Sequence, residues 1–152
     1  MVRWAQFEID QPEFSARVRR AFESGRHKVI ATIRPDGSPR ISGIESEFRE
    51  GELMFGSMPG SRKSADLGRD PRFALHSPPI PPAHGEESAW PGEAKVSGLA
   101  IKQLAEAAYG PEGDYFTADL TEVVFTGLDE SGTLLAVQWW TPEGGLRRIE
   151  RA

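Results

Sequence analysis

The chain has 152 residues, of which 38% are hydrophobic and 27% charged, with a net charge of −5 and no cysteine. This length suits a single domain over 1–152 with one sizeable core. The lack of cysteine excludes disulfides, iron–sulfur clusters and thiolate zinc sites, and the acidic balance argues against a nucleic-acid partner. The sequence has no apolar run of membrane-helix length and no recognisable signal peptide. We therefore expect a cytoplasmic protein with no membrane partner.

Two stretches in the first half of the chain predict helices. In 12–24, apolar residues recur at helical spacing, and Asp10 is the expected N-cap. Between 59 and 71 we expect a short helix with Ala65 and Leu67 facing inward.

The remaining patterned stretches predict strands, because they are rich in β-branched and aromatic residues and are bounded by Gly, Pro and Asp. The expected strands are 27–34, 38–48, 52–57, 72–77, 93–101, 118–128, 133–141 and 145–151. The Pro-rich stretch 78–92 must be a loop, and 102–110 predicts one more short helix. Hairpin-linked strands with few crossover helices favour a mainly β fold, an antiparallel barrel of Greek-key type, over a parallel sheet.

The segment 56–63 carries the most chemical information, because it lies between a predicted strand and a predicted helix. A helix start offers unpaired N–H groups and the positive end of the helix dipole, and both attract anions. Ser61 adds a hydroxyl, Arg62 a planar donor fork and Lys63 a point charge, a set that suits a phosphate. The glycines of the segment allow close approach of backbone to a ligand. The same residues also fit a capped helix with solvated charges, so these two interpretations stay open.

Residues 27–76 resemble the pyridoxamine 5′-phosphate oxidase-like family, the flavin-binding split barrels. Three pieces carry the resemblance, in the family's order and spacing: VIATIRPDGSPRISGIE, LMFGSMPGSRKSADL and RDPRFAL. The resemblance implies an antiparallel split β-barrel that binds FMN and works as a flavin-dependent oxidoreductase on a small molecule. It also implies a homodimer with the cofactor sites at the interface.

The resemblance further implies cofactor contacts from the second strand, the end of the third strand, the phosphate-binding turn, one strand of the partner subunit and the C-terminal tryptophan pair. In that order the positions are Arg40, Ile41, Ser42 and Gly43; Gly56 and Ser57; Ser61, Arg62 and Lys63; Lys95; and Trp140. Adjacent tryptophans on a strand face opposite sides, and core packing explains either one more simply. Because no side chain is an obvious proton donor, we assign no catalytic residue.

Two departures separate this chain from true pyridoxamine phosphate oxidases. Glu45 stands where they carry a lysine for the substrate phosphate, and the chain is too short for their C-terminal substrate-binding segment. We therefore expect no vitamin B6 oxidation and leave the substrate open.

Two alternatives use the same pocket. A deazaflavin coenzyme could replace FMN, with the basic residues of 17–20 along its tail, or the protein could bind flavin or haem without turnover. His27, His76 and His84 lack metal-ligand spacing, so we expect no metal site.

Overall fold

The computed structural model describes residues 1–104 and 113–152, and it shows a mainly β fold with short helices. The strands are β1 (His27–Ile33), β2 (Pro39–Arg49), β3 (Glu52–Ser57), β4 (Arg72–His76), β5 (Glu93–Gln103), β6 (Asp114–Leu128), β7 (Leu135–Thr141) and β8 (Gly145–Arg151). The helices are α1 (Trp4–Asp10), α2 (Pro12–Glu23) and α3 (Arg62–Arg69), with one 3₁₀ turn at Glu87–Ala89. No described helix has the length and apolar character needed to cross a membrane.

Six of the strands close into an antiparallel barrel. They follow the order β3-β2-β1-β4-β5-β6, and β3 also pairs with β6, which closes the ring. The neighbouring order β4-β1-β2-β3 is a Greek key. Strands β7 and β8 continue from β6 as an antiparallel ribbon. The predicted antiparallel barrel is therefore confirmed.

The hydrophobic core fills the barrel and continues into α1 and α2. Alternate residues of the strands point inward, as in β1, where Ile30 is fully buried between partly exposed neighbours. Phe7 links α1 to α2 and to β7, because its ring lies 5.9 Å from that of Phe14 and 4.7 Å from that of Trp140. The two helices thus bury aromatic rings against the ends of the strands.

The N-terminal region differs from the sequence expectation. Helix α1 is not predicted by the sequence pattern, because only Trp4 and Phe7 of its seven residues are buried and they form no periodic run. The N-cap expectation for α2 is wrong: Gln11 holds that position. Asp10 ends α1 instead, and its carboxylate accepts a hydrogen bond of 2.9 Å from the indole N–H of Trp140.

Two smaller expectations also fail. Ala65 is exposed, although the sequence pattern placed it on the inner face of α3. The buried face of this helix is formed by Ser64, Asp66 and Leu67, and it therefore contains a carboxylate. Lys102 and Gln103 belong to β5, so the helix expected over 102–110 is wrong at its start. The part of that expectation on 105–110 lies outside the described residues.

Candidate functional site

A groove of about 1120 Å³ lies against β2, β3 and the start of α3. Four of the predicted cofactor-binding residues line it: Gly43, Gly56, Ser57 and Lys63. They come together because Glu45 of β2 pairs with Gly56 of β3, which sets the end of β3 beside the middle of β2. The groove is thus built from backbone and small residues on two strands, with a cation where the chain enters the helix.

The chain turns into α3 through a compact cluster of three serine hydroxyls. Ser57 Oγ lies 2.8 Å from Ser61 Oγ and 2.5 Å from Ser64 Oγ. Ser61 is the N-cap of α3, and its side chain accepts a hydrogen bond of 3.2 Å from the N–H of Ser64. Gly60 precedes it at a φ of +71°, a left-handed conformation that glycine adopts without strain.

The first turn of α3 leaves donors unpaired. The N–H of Ala65 bonds the carbonyl of Ser61 at 3.0 Å, and Ser64 is capped, whereas the N–H groups of Arg62 and Lys63 have no partner among the described residues. Such N–H groups at the positive end of a helix are anion-binding groups. Lys63 is partly buried and lines the groove, and Arg62 is exposed beside it.

Tyr115 of β6 forms a wall of the groove that the sequence argument missed. Gly56 pairs with Tyr115 across the β3–β6 seam, and a Cβ on Gly56 would come within 2.4 Å of Cδ1 of the tyrosine. The glycine therefore makes room for this ring. No sequence signal could have shown the contact, because it depends on the closure of the barrel 59 positions later in the chain.

Arg40 is held on the inner side of β2 by a buried carboxylate. Asp66 of α3 is 2% exposed, and its Oδ2 accepts hydrogen bonds from Arg40 Nε at 2.7 Å and Thr32 Oγ1 at 2.8 Å. Arg69 adds a third bond at 3.1 Å to Oδ1. Burial alone would raise the pKa of Asp66, but these three donors outweigh it and lower that pKa to about 2. The structure thus assigns Arg40 a contact that anchors α3 to the barrel.

The comparisons with known proteins concern the fold. No family model matches the chain, and no curated protein matches it. A crystal structure of a pyridoxamine 5′-phosphate oxidase-related, FMN-binding protein from Nostoc punctiforme matches at a TM-score of 0.63 and 10% identity, over 93% of this chain and 96% of that one. The chain has the split-barrel fold of that protein. The resemblance inferred from the sequence is therefore confirmed at the level of the fold.

Two further split-barrel structures show how varied the ligands of similar folds are. PhzG from Burkholderia lata, solved with tetrahydrophenazine-1-carboxylic acid, matches at a TM-score of 0.59 and 13% identity, over 91% of this chain and 86% of that one. A heme binding protein from Mycobacterium smegmatis matches at 0.53 and 10% identity, over 90% of this chain and 86% of that one. At these identities the likeness shows the fold and leaves the ligand open.

The other residues predicted on β2 are divided between the two faces of this split barrel. Ile41 is 76% exposed on the outer face, which it shares with Gly43. Ser42 is partly buried on the opposite face, beside Ile30 of β1. Of the four residues predicted on β2, only Gly43 lines the groove.

The last two predicted residues lie away from the groove of their own chain. Lys95 is exposed on β5, where it pairs with His76 and Val124. Trp140 is only 3% exposed and packs in the core of its own chain, and it does not line the groove. Its neighbour Trp139 points to the outer face, and the Arg147 guanidinium lies 6.0 Å from its ring.

Charges at the far end of the groove are largely paired. Arg26 Nε lies 3.0 Å from Glu45 Oε1. Lys28 is 6% exposed, and its ammonium donates to the carbonyls of Arg26 at 3.2 Å and Ser46 at 3.1 Å. Burial lowers the pKa of Lys28, although Glu45 and Glu23 oppose this effect. Within the described ranges no group of three or more metal-ligating side chains is found.

Proposed function

We propose that the groove binds FMN and that the protein is a flavin-dependent oxidoreductase working as a homodimer. One observation carries this proposal: Ser57 and Lys63 line a groove between two strands, and Ser57 contacts the serine hydroxyls that cap α3, next to the unpaired N–H groups of its first turn. A terminal phosphate needs several converging donors and a positive charge, and this end of the groove supplies both.

The donor set fits the phosphate of FMN in detail. Lys63 offers a charge, the N–H groups of Arg62 and Lys63 offer two backbone donors, and the hydroxyl of Ser61 can reorient to donate. The exposed Arg62 side chain is free to approach an oxygen from solvent, since it has no ion pair in the described part of the chain. The serine cluster is therefore a preformed cradle that gains a partner when an anion enters.

The rest of the groove suits a flat ring system. The Gly43 backbone is open, with no atom within 4 Å of a Cβ placed there, and Tyr115 closes the side next to Gly56. A bound flavin supplies the electron and hydride chemistry. The protein's residues hold the phosphate, present backbone groups to the ring edge and limit water access from the Tyr115 side.

The outer face of the sheet supports the homodimer. A row of cross-strand neighbours joins Val29, His76, Lys95, Val124 and Trp139, and all of them are at least partly exposed. Ile41 extends the same face, 76% exposed. A second copy of the chain would bury the apolar members of this face and bring the partner's Lys95 towards the groove.

A haem-binding module is the second candidate. His27 lines the groove and is exposed, so an imidazole is available to a ligand there. The similar fold of the mycobacterial heme binding protein supports this candidate. The FMN proposal is preferred because the phosphate cradle has no role in a site built around a metal–imidazole bond.

The proposal is tested on the purified full-length chain. Its absorption spectrum and the mass of the molecule released on denaturation identify any bound cofactor, and the protein freed of it is then titrated with FMN, a deazaflavin coenzyme and haem. Light scattering gives the mass of the protein in solution, and reduced nicotinamide is added in the absence of oxygen to the protein with its cofactor bound.

We expect a flavin spectrum, the mass of FMN, a dimer and bleaching of the flavin. Preference for deazaflavin or haem, or failure to bind FMN, would contradict the proposal that FMN is the cofactor. A monomer in solution would contradict the proposed dimer. A bound flavin that reduced nicotinamide does not bleach would contradict nicotinamide as the electron donor.

A further inference from the structure

A second cavity, of about 580 Å³, lies between α2, the 78–92 segment and the turn that joins β6 to β7. It shares no residue with the groove. Arg17 and Arg20 form one wall, and Phe125 and Trp90 contribute apolar surface. This volume falls in the usual range of small-molecule sites, and aromatic side chains with a few placed polar groups are their usual lining.

The arginine wall carries positive charge that the protein compensates only in part. Arg17 donates to the side-chain oxygen of Gln138, and its guanidinium lies 5.1 Å from the Phe125 ring centroid. In the part of the chain that the structure describes, neither Arg17 nor Arg20 has a carboxylate within ion-pair distance. Burial, followed by the charges of Arg148 and Arg20, lowers the pKa of Arg17, with Glu13 acting in the opposite sense.

The acidic residues on the opposite side of the cavity do not neutralise this wall. Asp129 is occupied by its own turn: its carboxylate accepts bonds from the Ser131 hydroxyl at 2.8 Å and from the N–H groups of Thr133 at 3.1 Å and Leu134 at 3.0 Å. Glu130 is exposed. The two sides of the cavity therefore differ in charge, and the arginine side has no carboxylate partner among the described residues.

We propose that this cavity binds a small organic anion with a flat apolar body, an aromatic carboxylate in the simplest case. The guanidinium groups of Arg17 and Arg20 hold the carboxylate, because a planar fork matches its two oxygens. The ring of the ligand lies against Phe125 and Trp90, where offset or edge-to-face contacts add to the burial of apolar area. The site is separate from the flavin groove, so it does not depend on the proposed cofactor.

The probe is 2-naphthoate, compared with the neutral 2-naphthol of similar shape, in calorimetric titrations of the full-length protein. We expect 2-naphthoate to bind at least about tenfold more tightly than 2-naphthol and to weaken with added salt, since a charge-assisted contact is lost in the neutral compound. Equal affinities, or no binding of the carboxylate at millimolar concentration, would overturn the proposal.

Variants at neighbouring positions of α2 locate the binding. Arg20→Gln removes an exposed cation of the cavity wall, and Arg19→Gln removes one that pairs with Glu23 and does not line the cavity. The first should lower 2-naphthoate affinity about tenfold and the second should leave it within about twofold. Equal losses in both would show a non-specific charge effect, and no loss in Arg20→Gln would place the compound elsewhere, so either result rejects the site. Arg17 is left intact because its packing on Phe14 and Phe125 also supports the fold.

Discussion

Helix α3 has two regions that use polar groups in opposite ways. On its inner face, the carboxylate of Asp66 receives three hydrogen bonds, from Arg40, Thr32 and Arg69, and is 2% exposed. At its first turn, the N–H groups of Arg62 and Lys63 have no partner in the described residues. Lys63 lines the groove and Arg62 is exposed, and neither side chain has a carboxylate within ion-pair distance in that part of the chain.

The difference shows which charges serve the fold and which remain for a ligand. A buried carboxylate that loses a partner is costly, so its donors are committed. An unpaired N–H at an accessible helix start costs little until an anion arrives and then contributes to binding. We therefore expect variants of the two regions to separate stability from flavin binding.

The largest effect on stability should come from Asp66→Asn. This change keeps the shape of the side chain but removes the charge that three donors share, so the free energy of unfolding should fall by about 2 to 4 kcal/mol. Urea denaturation at neutral pH measures it. Asp70→Asn is the control, because Asp70 pairs with Arg72 near the surface, and it should lower the free energy of unfolding much less than Asp66→Asn does. Equal decreases in the free energy of unfolding in the two variants would mean that the hydrogen bonds to Asp66 stabilise the fold no more than a surface ion pair does.

Acid should act on the same inner network. Because the pKa of Asp66 is about 2 in the folded protein and higher in the unfolded chain, the unfolded chain takes up the proton first as the pH falls. The stability that this group contributes is thus complete above about pH 5 and is lost as the pH drops from about 4 to 2. Urea midpoints measured across this range should fall less steeply in Asp66→Asn than in the wild type. An unchanged slope would mean that other carboxylates account for the acid sensitivity.

Gly56→Ala should be the next largest change. A Cβ at this position would overlap Cδ1 of Tyr115 at 2.4 Å, so the ring must move, at a cost of about 1 to 3 kcal/mol. The double variant Gly56→Ala, Tyr115→Ala should lose less stability than the sum of the two single variants. Thermal unfolding of the four proteins tests this, and strict additivity would show that the ring does not lie over the glycine.

The smallest change in stability is expected at Ser61, where two substitutions distinguish its role as a helix cap from its role in anion binding. Ser61→Ala removes the N-cap acceptor and should cost about 1 kcal/mol, whereas Ser61→Asp keeps a good cap and should be close to neutral. For FMN affinity the order should be the opposite: Ser61→Asp should weaken binding more than Ser61→Ala does, because its carboxylate places a negative charge beside the phosphate. Denaturation and flavin titration of both variants decide the matter, and tight FMN binding by Ser61→Asp would remove the turn from the phosphate site.

The barrel could be predicted well from the sequence, because each hairpin is encoded by residues that are close together in the chain. Alternating patterns and turn residues mark each hairpin, as in β1 and β2 around Pro35-Asp36-Gly37, and the eight expected strands all form. The prediction failed for α1, where two aromatic residues bury against β-strands that are distant in sequence, and for Ala65, which the pattern placed on the wrong face.

The candidate site was predicted only in part. The segment from Gly56 to Lys63 is contiguous, so its turn, cap and cations could be read directly. The bond from Arg40 to Asp66 and the wall formed by Tyr115 depend on barrel closure, which no local pattern encodes. Which of Trp139 and Trp140 faces the core depends on the register of β7, because adjacent residues of a strand point to opposite faces of the sheet.

The most direct test of the central claim is the difference in affinity between FMN and riboflavin, which isolates the phosphate. We expect the wild type to bind FMN about a hundredfold or more tightly than riboflavin, and Lys63→Gln to reduce that preference at least about tenfold with riboflavin affinity nearly unchanged. Arg34→Gln, an exposed cation in the β1–β2 turn, is the matched control and should keep the preference. A wild type that binds both compounds equally, or a preference that survives Lys63→Gln, would contradict the assignment of the phosphate to the start of α3.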